Sequence, residues 1–136
     1  MVKNWVLVAD RSRAKILEKC GTSLKPIGPP IALEDITEFP DMDAAKPGKN
    51  TKGVFAPHTD LEDVMKTAFL REVAKRMNDK AHDLDSLVVC APPEALGELR
   101  KHFSKHVLDK LEHEVPKELT KSHEDDIAKY VTKPYH

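Results

Sequence analysis

Cysteine, glycine and aromatic residues are all scarce in this 136-residue chain, which holds two Cys, five Gly and only 5% Phe, Trp and Tyr together. Cys20 and Cys90 lie far apart and form no Cys-x-x-Cys, so a disulfide scaffold and a thiol redox motif are excluded, and both read as buried free thiols of a reducing compartment. The few glycines make no P-loop and no Gly-x-Gly-x-x-Gly; Lys46-Pro47-Gly48-Lys49 is too poor in glycine to cradle phosphates. Long apolar runs are lacking too. Asp10 and two arginines interrupt the first one far too early for a signal peptide or a spanning helix, so the expectation is a cytoplasmic protein without membrane insertion. Neither sign of charge is in excess, with 22 Lys plus Arg against 23 Asp plus Glu. The basic surplus usual in nucleic-acid binders is therefore missing, and only a local patch stays open.

What is present is the composition of a soluble globular protein, 40% apolar and 33% charged, of a length that suits one α/β domain over residues 1–136. Its organising stretch is NWVLVADRSRAKI, residues 4–16. Val6-Leu7-Val8-Ala9 is too short for an ordinary helix and reads as a strand covered on both faces. Asp10-Arg11-Ser12-Arg13 is then a tight turn into an antiparallel strand at 14–20. It presents charged groups at the strand's carboxyl edge, where open α/β sheets place their ligands. Leu24 to Leu33 contains Pro26, Pro29 and Pro30, so a third strand there is short, bulged or at an edge.

Residues 34–57 have no sustained period and collect Pro40, Pro47, Gly48 and Gly53. So long a connection either hides a small element near Val54-Phe55 or is a mobile functional loop. Lys46, Lys49 and Lys52 make it locally basic, for phosphate or nucleic-acid contact or as a merely solvated surface. Thr59-Asp60-Leu61-Glu62 is a capping box, and Leu61, Val64, Met65, Ala68, Phe69, Val73 and Met77 form the stripe of a helix packed on a sheet. Leu87 to Ala91 is a second buried strand, stopped by Pro92-Pro93. A helix from Glu94 to Phe103 follows, and Gly97 within it suggests a backbone held close to the sheet. Residues 107–115 fit a helix or a strand, with propensity favouring helix. Ser122-x-x-Asp125 is a second capping box, opening a short last helix.

If the strands at 6–9 and 87–91 are parallel members of a crossover unit, residues 10–13 and Pro92-Pro93 emerge at one edge. A parallel strand at 107–115 would bring Lys117-Glu118-Leu119-Thr120 there as well. The candidate binding set is then Asp10, Arg11, Ser12, Arg13, Lys117 and Thr120, with Arg100 one helix turn down and Lys46, Lys49 and Lys52 on the loop. Arginines on a tight turn suit phosphate by geometry. Asp10 reads as a turn-builder that accepts backbone amides, and no further carboxylate has a reason to join it in a two-metal site. His102 and His106 have helix-face spacing, but no Glu or Cys completes a metal set with them. Ser12 lacks nucleophile-elbow glycines. No metal, cofactor or catalytic residue is assigned.

WVLVADRSRAKI, the KPGK segment before the long helix, FLREVAKRMNDKAH, LVVCAPPEALGELRKHF and VPKELT together resemble the bacterial family of proteins required for attachment to host cells. That family looks distantly related to the middle domain of archaeal and eukaryotic peptide-chain release factors. The resemblance implies a ribonuclease H-like domain, a mixed five-stranded sheet made of an N-terminal three-strand meander plus two further strands, with helices packed on it. It also implies a strand at 107–115. By position it singles out Asp10, Ser12, Arg13, Pro47, Gly48, Pro92, Pro93, Gly97, Leu99, Arg100, Lys117, Leu119 and Thr120. Lys49 stands where the family often has arginine, and Glu118 where aspartate is usual. The Gly-Gly-Gln tripeptide of release factors is missing from residues 34–57, which argues against a release activity.

Three functions follow as expectations. The first is a non-catalytic cytoplasmic binding module contacting RNA, the ribosome or phosphate groups through the carboxyl edge and the lysine-bearing loop. The second is a protein-interaction or regulatory module acting indirectly on attachment through an unidentified protein partner. The third is a small metal-assisted hydrolase or phosphoesterase using Asp10 and His58.

Overall fold

The computed structural model describes residues 3–21, 23–35 and 61–131. Residues 34–57 thus fall, beyond their first two positions, outside the described part, together with Lys46, Lys49, Lys52, His58 and Thr59 of the first capping box. Strand β1 (Asn4–Ala9) runs antiparallel to β2 (Arg13–Cys20), with Leu7 opposite Ile16. Proline splits the expected third strand. β3 (Ser23–Pro26) and β4 (Ile31–Ala32) both pair with β2, and the chain between them turns out through Gly28 at φ 70°. Prolines donate no amide, so the interruption falls where the ladder cannot continue.

Helix α1 (Leu61–Asp79) crosses over to β5 (Ser86–Cys90), which lies parallel to β1 with Val6 opposite Val88. Its buried arc, Ala68, Phe69, Leu70, Val73, Ala74 and Met77, is wider than the expected stripe because Leu70 and Ala74 are covered too. Helix α2 (Pro93–His102) packs beside α1 and buries Ala95, Leu96 and Leu99. Gly97 faces outward, and a Cβ there would meet nothing within 4 Å. The expected close approach to the sheet is therefore absent.

Residues 107–115 are divided between both readings. Helix α3 (Lys105–Lys110) gives way directly to β6 (Leu111–Val115), parallel to β5 and bulged beside Leu87 and Val88. The side chain of Asn78 sets the break between α2 and α3. Its Nδ2 donates to the His102 carbonyl at 3.0 Å, and its Oδ1 accepts the Ser104 amide at 2.7 Å. Ser104 then caps α3 by accepting the Val107 amide at 3.3 Å. Helix α4 (Glu124–Val131) begins one residue later than the second capping box implies: the His123 carbonyl accepts the Asp126 and Ile127 amides, and its Nδ1 accepts that of Asp125.

The sheet order is β3-β2-β1-β5-β6, with β4 also on β2, a mixed sheet of five main strands as expected. Helices α1 to α3 cover one face over Trp5, Leu7, Ile16, Leu87 and Val89. Helix α4 covers the other, packing Ile127, Ala128 and Val131 on Val6, Val8, Leu17, Val88 and Cys90. β1 and β5 are buried on both sides, which is why they read as unbroken apolar runs. Cys90 is buried and its thiol is pushed up to about 12 by desolvation, whereas Cys20 is exposed, against the expectation of two buried thiols. Among the described residues no helix is long and apolar enough to cross a membrane.

Candidate functional site

Three parallel strands, β1, β5 and β6, end at one edge of the sheet, and the Ala91 amide donating to the Val115 carbonyl at 3.0 Å holds two of those ends together. The turn after β1 is built by Asp10. Its Oδ1 accepts the Ser12 amide at 2.8 Å and the Arg13 amide at 2.7 Å, while its own amide donates to the Arg13 carbonyl at 2.8 Å. The Ser12 hydroxyl lies 3.4 Å from the same oxygen. Asp10 Oδ2 accepts the Thr120 hydroxyl at 2.8 Å, a bond across 110 residues of chain. That hydroxyl also meets Glu118, and it has one proton for the two carboxylates. Burial works to raise the Asp10 pKa. The Ser12 amide, the Thr120 hydroxyl and the Arg13 amide outweigh it, and the carboxyl is held below its ordinary value.

The structure thus brings Asp10, Ser12, Arg13, Lys117 and Thr120 to one edge. Arg13 is exposed and has no ion-pair partner among the described residues. Lys117 is exposed as well, its Nζ 5.6 Å from the centre of the Tyr130 ring. Arg11 reaches Asp63 at the start of α1 at 3.9 Å, with both side chains well exposed (39% and 52%), a contact worth little in water.

Arg100 is not free for a ligand in the same way. Its guanidinium holds Glu114 of β6 through two nitrogens, Nε to Oε2 at 3.1 Å and Nη2 to Oε1. Nothing in the local sequence announces that pair, because it depends on the register of β6 beside β5. Lys15 was also missed. Its Nζ donates to the Ser122 carbonyl at 3.1 Å and stands 3.9 Å from Glu124, fastening the segment before α4 to the sheet. Tyr130 beneath Lys117 had no signal beyond lying on the last helix.

Both Asp10 oxygens are engaged inside the chain, and Glu118 is the one carboxylate that shares a hydrogen-bond donor with it among the described residues. Among the described residues no group of three or more His, Cys, Asp and Glu could hold a metal ion. His102 and His106 fall on different helices, His102 bonding Glu98 at 2.9 Å, because Phe103 and Ser104 break the helix between them.

The fold resembles part of an archaeal translation termination factor, aRF1, with a TM-score of 0.54 at 12% identity over 96% of this chain and 38% of that one. It also resembles part of Dom34 from S. cerevisiae, described as a translation termination-like factor involved in RNA quality control pathways and interacting with Hbs1. There the TM-score is 0.53 at 13% identity over 97% of this chain and 33% of that one. An archaeal protein matches at 0.53 and 13%, over 93% of this chain and 33% of its own. The chain therefore spans little more than a third of the factors it resembles, and at such identity the likeness shows the fold alone. No curated protein matches. The sequence profile of the family described as protein required for attachment to host cells matches residues 5–131, nearly the whole chain, and the chain belongs to that family.

Proposed function

We propose that the carboxyl edge of the sheet is a phosphate-contacting surface and that the protein is a binding module for RNA or the ribosome. The Asp10–Thr120 hydrogen bond carries this reading, because it pins the turn bearing Arg13 to the segment bearing Lys117. Asp10 keeps its charge while it accepts that hydroxyl and two amides, and among the described residues it makes no ion pair with Arg13 or Lys117. A guanidinium on a rigid turn matches a phosphate by two parallel donors, and an ammonium nearby adds a point charge. The shared fold supports the same reading. Among its other holders are a translation termination factor and a termination-like factor of RNA quality control.

A filter-binding titration of the full chain with tRNA and with ribosomes tests it. Association at low salt that weakens as salt is raised is expected, since neutralised phosphates release counterions. No association at low salt overturns it.

A second reading, a module for a protein partner, is favoured by the near-zero net charge of −1, which gives no long-range pull toward a polyanion. A protein that co-purifies reproducibly, with yield unchanged by nuclease, would support this reading over the first.

A further inference from the structure

We propose that the groove between the interrupted edge strand and the C-terminal end of α1 binds a free α-amino acid with an apolar side chain. The cavity measures about 290 Å³, at the small end of ligand sites, which sizes its occupant to a metabolite. Ile16, Ile27, Pro29 and Ile31 make an apolar wall, opened by the outward turn at Gly28. The turn is anchored, with the Ile27 amide donating to the Ile16 carbonyl at 2.8 Å, so the wall is a built feature of the edge.

The opposite rim is charged: Arg76, Asp79 and Lys80 line it. Arg76 is paired with Glu72 through Nε at 3.1 Å. Asp79 and Lys80 are consecutive and exposed and form no ion pair among the described residues, so the rim offers one carboxylate and one ammonium to a groove with an apolar wall. That pattern is complementary to a zwitterion. The ligand's ammonium would meet Asp79 and the negative end of a 19-residue helix, and its carboxylate would meet Lys80. Its apolar side chain would cover Ile27 and Ile31. The charged rim lies away from the phosphate surface, since Asp63, near that surface, and Asp79 are at opposite ends of α1, about 24 Å apart at 1.5 Å per residue, whereas Ile31 of the wall pairs with Ala14, next to Arg13.

The test is a titration of the full-length chain followed by backbone amide resonances. Leucine and phenylalanine are expected to shift Ile27, Gly28, Ile31 and Lys80 saturably. Glycine, which lacks the side chain, is expected to leave them in place, while N-acetyl-leucine and leucinamide bind at least about tenfold more weakly, the loss of one charged contact. Asp79→Asn should bring leucine down to the level of N-acetyl-leucine, and Lys80→Gln down to that of leucinamide. Both residues are exposed, and an unchanged amide spectrum checks that the variants fold. Resonances unmoved by leucine and phenylalanine up to their solubility limits would overturn the proposal. So would N-acetyl-leucine or leucinamide binding as tightly as leucine.

Discussion

Asp10 joins two distant parts of the chain through one carboxylate, and its energetic signature is specific. Its folded pKa is held down, so its contribution to stability is fully present above the unfolded value. That contribution is lost as pH falls through the lowered folded value, below about pH 4. Asp10→Ala should cost about 1–3 kcal/mol near neutrality by orphaning two amides, and should flatten the acid limb of a urea-unfolding pH series. Thr120→Val removes the hydroxyl that meets both Asp10 Oδ2 and Glu118, leaves the two turn amides on Oδ1 in place, and should cost about 1 kcal/mol. At the same scale, Arg13 and Arg100 should separate cleanly in RNA titrations. Arg13→Ala should weaken binding, whereas Arg100→Ala should leave it unchanged because that guanidinium is committed to Glu114. Asp10 as a turn-builder was legible from its place after a buried strand. The engagement of Arg100 was not, since no local pattern states which residue of β6 will stand beside α2.

Elements differ in how far their own residues decide them. β1, β5, α1 and α2 could be read because strand burial on both faces and the helical stripe each leave a periodic mark. Residues 107–115 could not, because their helix and strand meet without a turn residue between Lys110 and Leu111. The break before α3 depends on Asn78, 26 residues upstream of Ser104, a long-range contact that propensity does not register. Asn78→Ala should leave the Ser104 amide and the His102 carbonyl without their partner and cost about 1–3 kcal/mol, read as a drop in the urea midpoint at unchanged slope. Gly97 reverses its first reading in a useful way. With open space around it and no positive φ, Gly97→Ala should stabilise the protein by up to about 1 kcal/mol, measurable as a rise in Tm. A fall in Tm would mean that α2 approaches a neighbour there after all.

On the scale of the whole molecule, two features pull in different directions. The net charge of −1 offers no general attraction to nucleic acid, while the topology gathers exposed cations where three parallel strands end. The edge was legible as a place, because a crossover unit forces its strand ends together. Which of its charges stay outward-facing was not, because that depends on pairings such as Arg11 with Asp63 and the ring of Tyr130 under Lys117. Under the proposed function, affinity for phosphate would be local and carried by a few contacts, steeply dependent on those residues and shallow in salt compared with a strongly basic protein.

The most direct measurement is the salt dependence of tRNA binding for the natural chain and for the double variant Arg13→Ala, Lys117→Ala. Each phosphate contact contributes about 0.7–0.9 to the slope of log affinity against log salt. A phosphate-contacting edge predicts that the double variant binds more weakly and that its slope is shallower by about 1.4 to 1.8. Equal affinity and equal slope for the two proteins would contradict it.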